Sequence, residues 1–144
     1  GLLGAATGTA FIDFVIDGPD VSGNIPITIG ADIGNLIYFF VRTNTGILME
    51  FYTGSTLQAQ INVASPFIVY GTRYKGAFAW ANNDFVLYVN GLNKGTASSG
   101  NAPTPTKLWL GQYTGGNYKG ATINQTLLFP TRLSNADLAT LTTL

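Results

Sequence analysis

The chain is 144 residues long, about one domain's worth, and seven Lys and Arg balance seven Asp and Glu for a net charge of zero. With no His and no Cys it cannot build the ordinary zinc sites, a Ser–His pair, a thiol nucleophile or a disulfide frame, and it has no basic cluster to grip nucleic-acid phosphates. Hydrophobic residues at 46% exclude a disordered chain, while the longest strongly apolar run, Leu36–Val41, is far short of the ~20 residues a membrane-spanning helix needs.

Eighteen glycines punctuate the chain, and between the turns lie short runs of Val, Ile, Leu, Phe, Tyr and Thr. This rhythm predicts strands at Ala10–Ile16, Gly34–Arg42, Ile47–Tyr52, Leu57–Val63, Phe67–Lys75, Gly76–Ala81, Phe85–Val89, Lys107–Gln112 and Ala121–Phe129. Leu57, Ala59, Ile61 and Val63 alternate with Gln58, Gln60 and Asn62, a half-exposed strand with a wet amide face. Phe85–Val89 is apolar on both faces, so one side needs the partner sheet and the other a loop or a neighbour. Asn90-Gly91 suits a type I′ hairpin turn. Pro103 and Pro105 stiffen Gly100–Thr106 into a crossover. Ser134 reads as the N-cap of one short helix, with Asp137 in its first turn and Leu133, Leu138 and Leu141 on one packed face, sealing an open end of the sandwich. The chain is expected to be a single all-β domain, an antiparallel two-sheet β-sandwich with one C-terminal helix. Beginning at Gly1, it reads as a fragment or processed part of a larger protein.

Asp84-Phe85-Val86-Leu87-Tyr88-Val89-Asn90-Gly91, then Lys94-Gly95-Thr96, resembles the strand–hairpin–strand block of laminin-G-like, concanavalin A-like jelly rolls. Leu108-Trp109-Leu110-Gly111 and Gly120-Ala121-Thr122-Ile123 are similar to later strands of that family, and Phe129–Leu138 to its closing strand and helix. The closing Pro-x-Arg-Leu-Ser segment and the absence of His look most like modules of tailed-phage tail fibres, spikes and other virion proteins. The likeness covers Arg73–Leu141. It implies a virion surface module that binds host cell-surface polysaccharide. The alternatives are a structural, oligomerisation or decoration domain of the particle, with virion subunits as partners, and a lectin-like domain of a bacterial surface protein. A homotrimer would bury outward apolar residues such as Val86 and Tyr88.

Some jelly rolls hydrolyse glycans with two carboxyls about 5–9.5 Å apart. Here Glu50 is the only Glu, Asp13, Asp17 and Asp20 lie near the first strand and its turn, Asp32 sits in a Gly-rich loop, and the Glu-x-Asp-x-x-Glu pattern of glucanase relatives is missing. The reading is non-enzymatic. Laminin-G-like relatives often bind calcium, and Asp32 with Asn35, or Asp84 with Asn82 and Asn83, offers oxygens. Asx turns explain the same residues, so no metal site is assigned and any calcium binding is expected to be weak and loop-based.

Sugar recognition needs exposed aromatic faces ringed by amides and carboxylates. Phe11, Phe14, Phe39, Phe78, Phe85 and Phe129 are assigned to packing, and Tyr118 to a structural position. The ligand candidates are Tyr113 and Asn117 at a loop tip, Tyr52 at a strand end, and Trp80 beside Asn82, Asn83 and Asp84. For Trp80, a rim residue capping the core and a ligand contact are equal readings.

Overall fold

In a strand, successive side chains point to opposite faces, so a chain of alternating strands can bury one face of each sheet against another. In a computed structural model this chain does so. The structure describes residues 3–19, 23–42, 44–113, 117–118 and 120–144. In chain order the strands are β1 (Gly8–Val15), β2 (Asn24–Asp32), β3 (Asn35–Val41), β4 (Ile47–Thr53), β5 (Thr56–Val63), β6 (Arg73–Ala81), β7 (Asp84–Val89), β8 (Leu92–Ala97), β9 (Lys107–Leu110), β10 (Gln112–Tyr113), β11 (Asn117–Tyr118) and β12 (Thr122–Phe129), followed by helix α1 (Asn135–Leu141). They form two antiparallel five-stranded sheets, β12-β1-β6-β7-β8 and β5-β4-β3-β2-β9, and a small β10-β11 hairpin. The expected two-sheet sandwich with one C-terminal helix is what forms.

The core lies between the sheets. Ile12, Phe14, Phe78, Trp80, Phe85 and Leu87 from one face Ile27, Ile29, Phe39, Met49, Phe51 and Ile61 from the other. Aromatic pairs stitch the layers: Phe14 meets Phe39 edge-on at 5.5 Å between centroids, and Phe51 meets Phe85 at 4.7 Å.

Several expected boundaries move, each for a physical reason. Phe67–Thr72 is a loop: Phe67 and Ile68 donate their N–H groups to the Thr45 carbonyl at 3.3 and 3.0 Å, and Ile68 plugs the core. Gly76 does not break the next strand; β6 runs through it from Arg73 to Ala81. Lys107–Gln112 splits at Gly111 into β9 and β10. β2 escapes the sequence pattern because Pro26 and Gly30 interrupt it, and its pairing with β3 skips a register beside Pro26. β8 is the second hairpin strand that the family resemblance implied. Asn90 (φ +50°) and Gly91 (φ +78°) turn that hairpin as expected.

The helix corrects two expectations. Ser134 caps it, accepting from Asp137 N at 3.1 Å, as read from sequence. Yet α1 does not seal an end of the sandwich. Leu138, with Leu133, Ala139 and Leu141, lies on the outer face of the first sheet against Phe11, Ala77, Ala79, Val86 and Tyr88. The apolar outer residues Val86 and Tyr88 are therefore buried within one chain, and they no longer ask for a trimer. The helix end is tied down: Gly91 N donates to Thr142 Oγ1 at 3.0 Å and Lys75 Nζ to the Thr143 carbonyl at 2.8 Å.

On the same outer face Asp13, nearly fully buried, pairs with Arg73, whose Nε donates to it at 2.8 Å, and accepts Asn124 Nδ2 at 3.1 Å. The Arg73 hydrogen bond holds the Asp13 carboxyl below its usual range and raises the guanidinium.

Two outcomes test this packing. Leu138→Ala is expected to lower unfolding free energy by about 2–4 kcal/mol in urea melts, because it empties the contact between helix and sheet. A depressed folded pKa gives stabilisation that is whole above the unfolded Asp value near ~4 and is lost as pH falls through the folded value. Asp13→Asn should therefore lower stability at neutral pH and flatten the acid limb of the melting-temperature profile.

Candidate functional site

The second sheet has no helix on its outer face among the described residues, and its registers line up the outward residues in rows, of which Thr28 and Leu36 are fully buried. One row runs Trp109, Thr28, Tyr38, Glu50, Gln60 across β9, β2, β3, β4 and β5. The next runs Lys107, Gly30, Leu36, Tyr52, Leu57. These are the residues whose strand neighbours, Ile27, Ile37, Phe39, Met49 and Phe51, point into the core. Burying one parity sends the other outward.

Glu50 is the centre of the face. It is 7% exposed, and its carboxylate is held by three neutral donors. Tyr38 Oη and Tyr52 Oη both donate to Oε2, the latter at 3.0 Å, and Gln60 Nε2 donates to Oε1 at 2.6 Å. The Tyr38 and Tyr52 rings are parallel to within 10°, their centroids 6.3 Å apart. Phe40 meets Tyr38 edge-on at 6.4 Å. The result is two half-buried aromatic faces locked to one carboxylate, with the exposed amides of Gln60 and Asn62 beside them. Such a surface can stack on the apolar face of a sugar ring and exchange hydrogen bonds with its hydroxyls.

Two local features shape it. A bulge after Phe51 makes Gln58 an extra residue, so Leu57 pairs with Tyr52 and turns outward, 44% exposed, instead of joining Ala59 and Ile61 in the core as its alternation suggests. Gly30 lets β2 and β3 approach closely: a Cβ there would lie 2.6 Å from Leu36 Cβ and 2.7 Å from the Asn35 carbonyl oxygen.

The β10–β11 hairpin borders the face. After Gly111 the chain leaves the sheet edge, Gly111 N donates to the Pro26 carbonyl at 3.0 Å, and Thr28 Oγ1 donates to the Gln112 carbonyl at 3.0 Å. Tyr113 and Asn117 pair with each other in this hairpin. Their side chains, and that of Tyr118, lie outside the described residues, as do Thr114–Gly116 and Asp20.

The structure divides the sequence candidates. Tyr52 is on the face, and the backbone of Tyr113 and Asn117 stands next to it. Trp80 is a correction: at 1% exposure it lies in the core beside Phe78, centroids 6.1 Å apart, and has no face to offer a ligand. Asn82 and Asn83 belong to the crossover, Asn82 Oδ1 accepting from Ala102 N at 2.8 Å and Asn83 Oδ1 from Gly100 N at 3.0 Å. Asp84 pairs with Arg132, whose Nη2 donates to it at 2.9 Å. Asp32 ends β2 and accepts from Gly34 N at 2.8 Å and Asn35 Nδ2 at 3.0 Å. The Asn35 amide first, then the Gly34 N–H, hold its carboxyl below the usual range. The oxygens offered above for calcium are thus engaged in turns and tethers. Phe129, assigned to packing, is half-buried at the end of β12.

Sequence reading missed Tyr38, Glu50, Gln60 and Trp109 as a group. The one signal was a lone acid, Glu50, at the centre of an otherwise apolar and aromatic strand.

No family model and no curated protein matches the sequence. Solved structures match its fold. The CBM40 of the Ruminococcus gnavus IT-sialidase, bound to α2,3-sialyllactose, superposes with a TM-score of 0.71 at 14% identity, over 94% of this chain and 82% of that one. The heptameric SAP-like pentraxin of Limulus polyphemus gives 0.68 at 15% identity, over 94% and 69%. The leech intramolecular trans-sialidase gives 0.70 at 14% identity, with 94% of this chain on only 23% of that one. The chain therefore has the concanavalin A-like jelly-roll fold.

Gly30→Ala should destabilise the domain by about 1–3 kcal/mol in denaturant melts, because the new methyl meets backbone atoms that cannot swing away.

Proposed function

We propose that this chain is a non-enzymatic carbohydrate-binding module and that the outer face of the β5-β4-β3-β2-β9 sheet is its ligand surface. The observation that carries the reading is the parallel Tyr38–Tyr52 pair locked on Glu50, with Gln60 and Trp109 in the same row. The fold matches, which include CBM40 structures with α2,3- and α2,6-sialyllactose, support a carbohydrate ligand in general. The described acids other than Glu50 support the non-enzymatic part. Asp13 and Asp84 are in ion pairs, Asp17 accepts from Thr122, Asp32 closes a turn and Asp137 joins the helix cap.

The resemblance of Arg73–Leu141 to virion modules supports a finer proposal. The module sits on the surface of a phage particle, extracellularly, among other virion subunits, and its glycan is host surface polysaccharide. An oligomerisation role has less support, because α1 covers the apolar residues that suggested it.

A glycan array spanning bacterial surface polysaccharides and defined oligosaccharides tests the reading. The parent protein should bind a subset, and Tyr52→Ala and Trp109→Ala should each weaken that binding at least tenfold without loss of fold. Thr96→Ala, on the other sheet, should leave it unchanged. Equal binding by parent, Tyr52→Ala and Trp109→Ala would remove this face from consideration.

A further inference from the structure

We infer that this face takes uncharged, hydroxyl-rich glycans and turns away anionic ones, and that Glu50 determines this preference. The inference rests on the reading of the face as the ligand surface and adds the ligand's charge class.

Neutral groups surround the Glu50 carboxylate. Its hydrogen-bond partners are two phenols and an amide, all neutral donors. The ion pairs among the described residues, Arg73–Asp13 and Arg132–Asp84, belong to the opposite sheet. Lys107 shares the outer face but stands on the far edge strand, three strand spacings or ~14 Å from β4, beyond a physiological Debye length of ~8 Å. Arg42, just past β3, has the outward parity of Tyr38 and stands four residues or ~13 Å along the strand from it, so among the described residues the Glu50 carboxylate has no ion-pair partner and no cation at a neighbouring strand position.

A carboxylate only accepts hydrogen bonds. A sugar seated on Tyr38 and Tyr52 brings its substituents to the atom those two hydroxyls already share. A hydroxyl there donates an O–H···O⁻ bond, the short and strong kind. A sialate or uronate carboxylate there has no proton to give and meets the like charge of a carboxylate that, at 7% exposure, little water screens. The preference is built from one side chain, so it can be removed by one substitution. In Glu50→Gln the carbonyl oxygen can keep the two tyrosine hydroxyls, and Gln60 can flip its amide to accept from the new NH₂.

The test compares matched ligands: neutral glycans found on the array, and the same glycans carrying a terminal sialic acid or a uronic acid, titrated calorimetrically. The parent protein is expected to bind each neutral glycan at least tenfold more tightly than its anionic counterpart. In Glu50→Gln, folded by circular dichroism, that ratio should fall to within about threefold while neutral binding drops less than tenfold. Parent protein binding anionic glycans as tightly as neutral ones overturns this inference and leaves the ligand face standing, as does an unchanged ratio in folded Glu50→Gln. Binding to no glycan at all overturns the ligand face itself. The parent ratio decides the matter even if Glu50→Gln does not fold.

Discussion

Register across the middle of one sheet is the constraint on which the rest depends. Ile37, Phe39 and Val41 must face inward to meet the other sheet, as must Ile47, Met49 and Phe51. Once they do, Tyr38, Glu50 and Tyr52 have nowhere to go but out. A slip of one residue between β3 and β4 would drive Glu50 toward the core and strip the core of three large side chains. The burial that stabilises the sandwich is thus the same burial that aligns the polar row, and the surface needs no separate device to hold its pattern.

The two outer faces are then treated differently. On the first sheet, Phe11, Val86 and Tyr88 are too apolar to meet water, and α1 covers them, anchored through Thr142 to the β7–β8 turn. On the second sheet, Tyr38, Tyr52 and Gln60 turn their polar tips onto Glu50 in the plane of the face, beside the apolar Phe40 and Leu57. A carboxylate fixed by three donors from three strands spends little entropy on becoming ordered when a ligand arrives.

Much of this was legible along the chain, and the failures have causes. Phe85–Val89 announced a strand covered on both sides; what covered the second side, a helix almost fifty residues later, did not show locally. Trp80 looked like a rim residue because Asn82-Asn83-Asp84 follows it. Its parity with Phe78 was the better guide, since residues two apart share a face. Tyr52 stood out at a strand end, whereas Tyr38 was hidden inside the Leu36–Val41 run. Glu50 was weighed only as half of a catalytic pair. Their meeting with Gln60 is a matter of pairing between strands, and a one-residue bulge after Phe51 decides which neighbours of Gln60 come with it. No local pattern encodes that.

The fastening of the β10–β11 hairpin has a consequence for how such a chain changes over generations. Two hydrogen bonds at its base among the described residues, Thr28 Oγ1 to the Gln112 carbonyl and Gly111 N to the Pro26 carbonyl, end on backbone oxygens. Neither reads the identity of the residue at position 112. The side chain at position 112 can be exchanged while the mount stays where it is, so descendants can acquire new tastes at the border of the sheet without relearning how to fold.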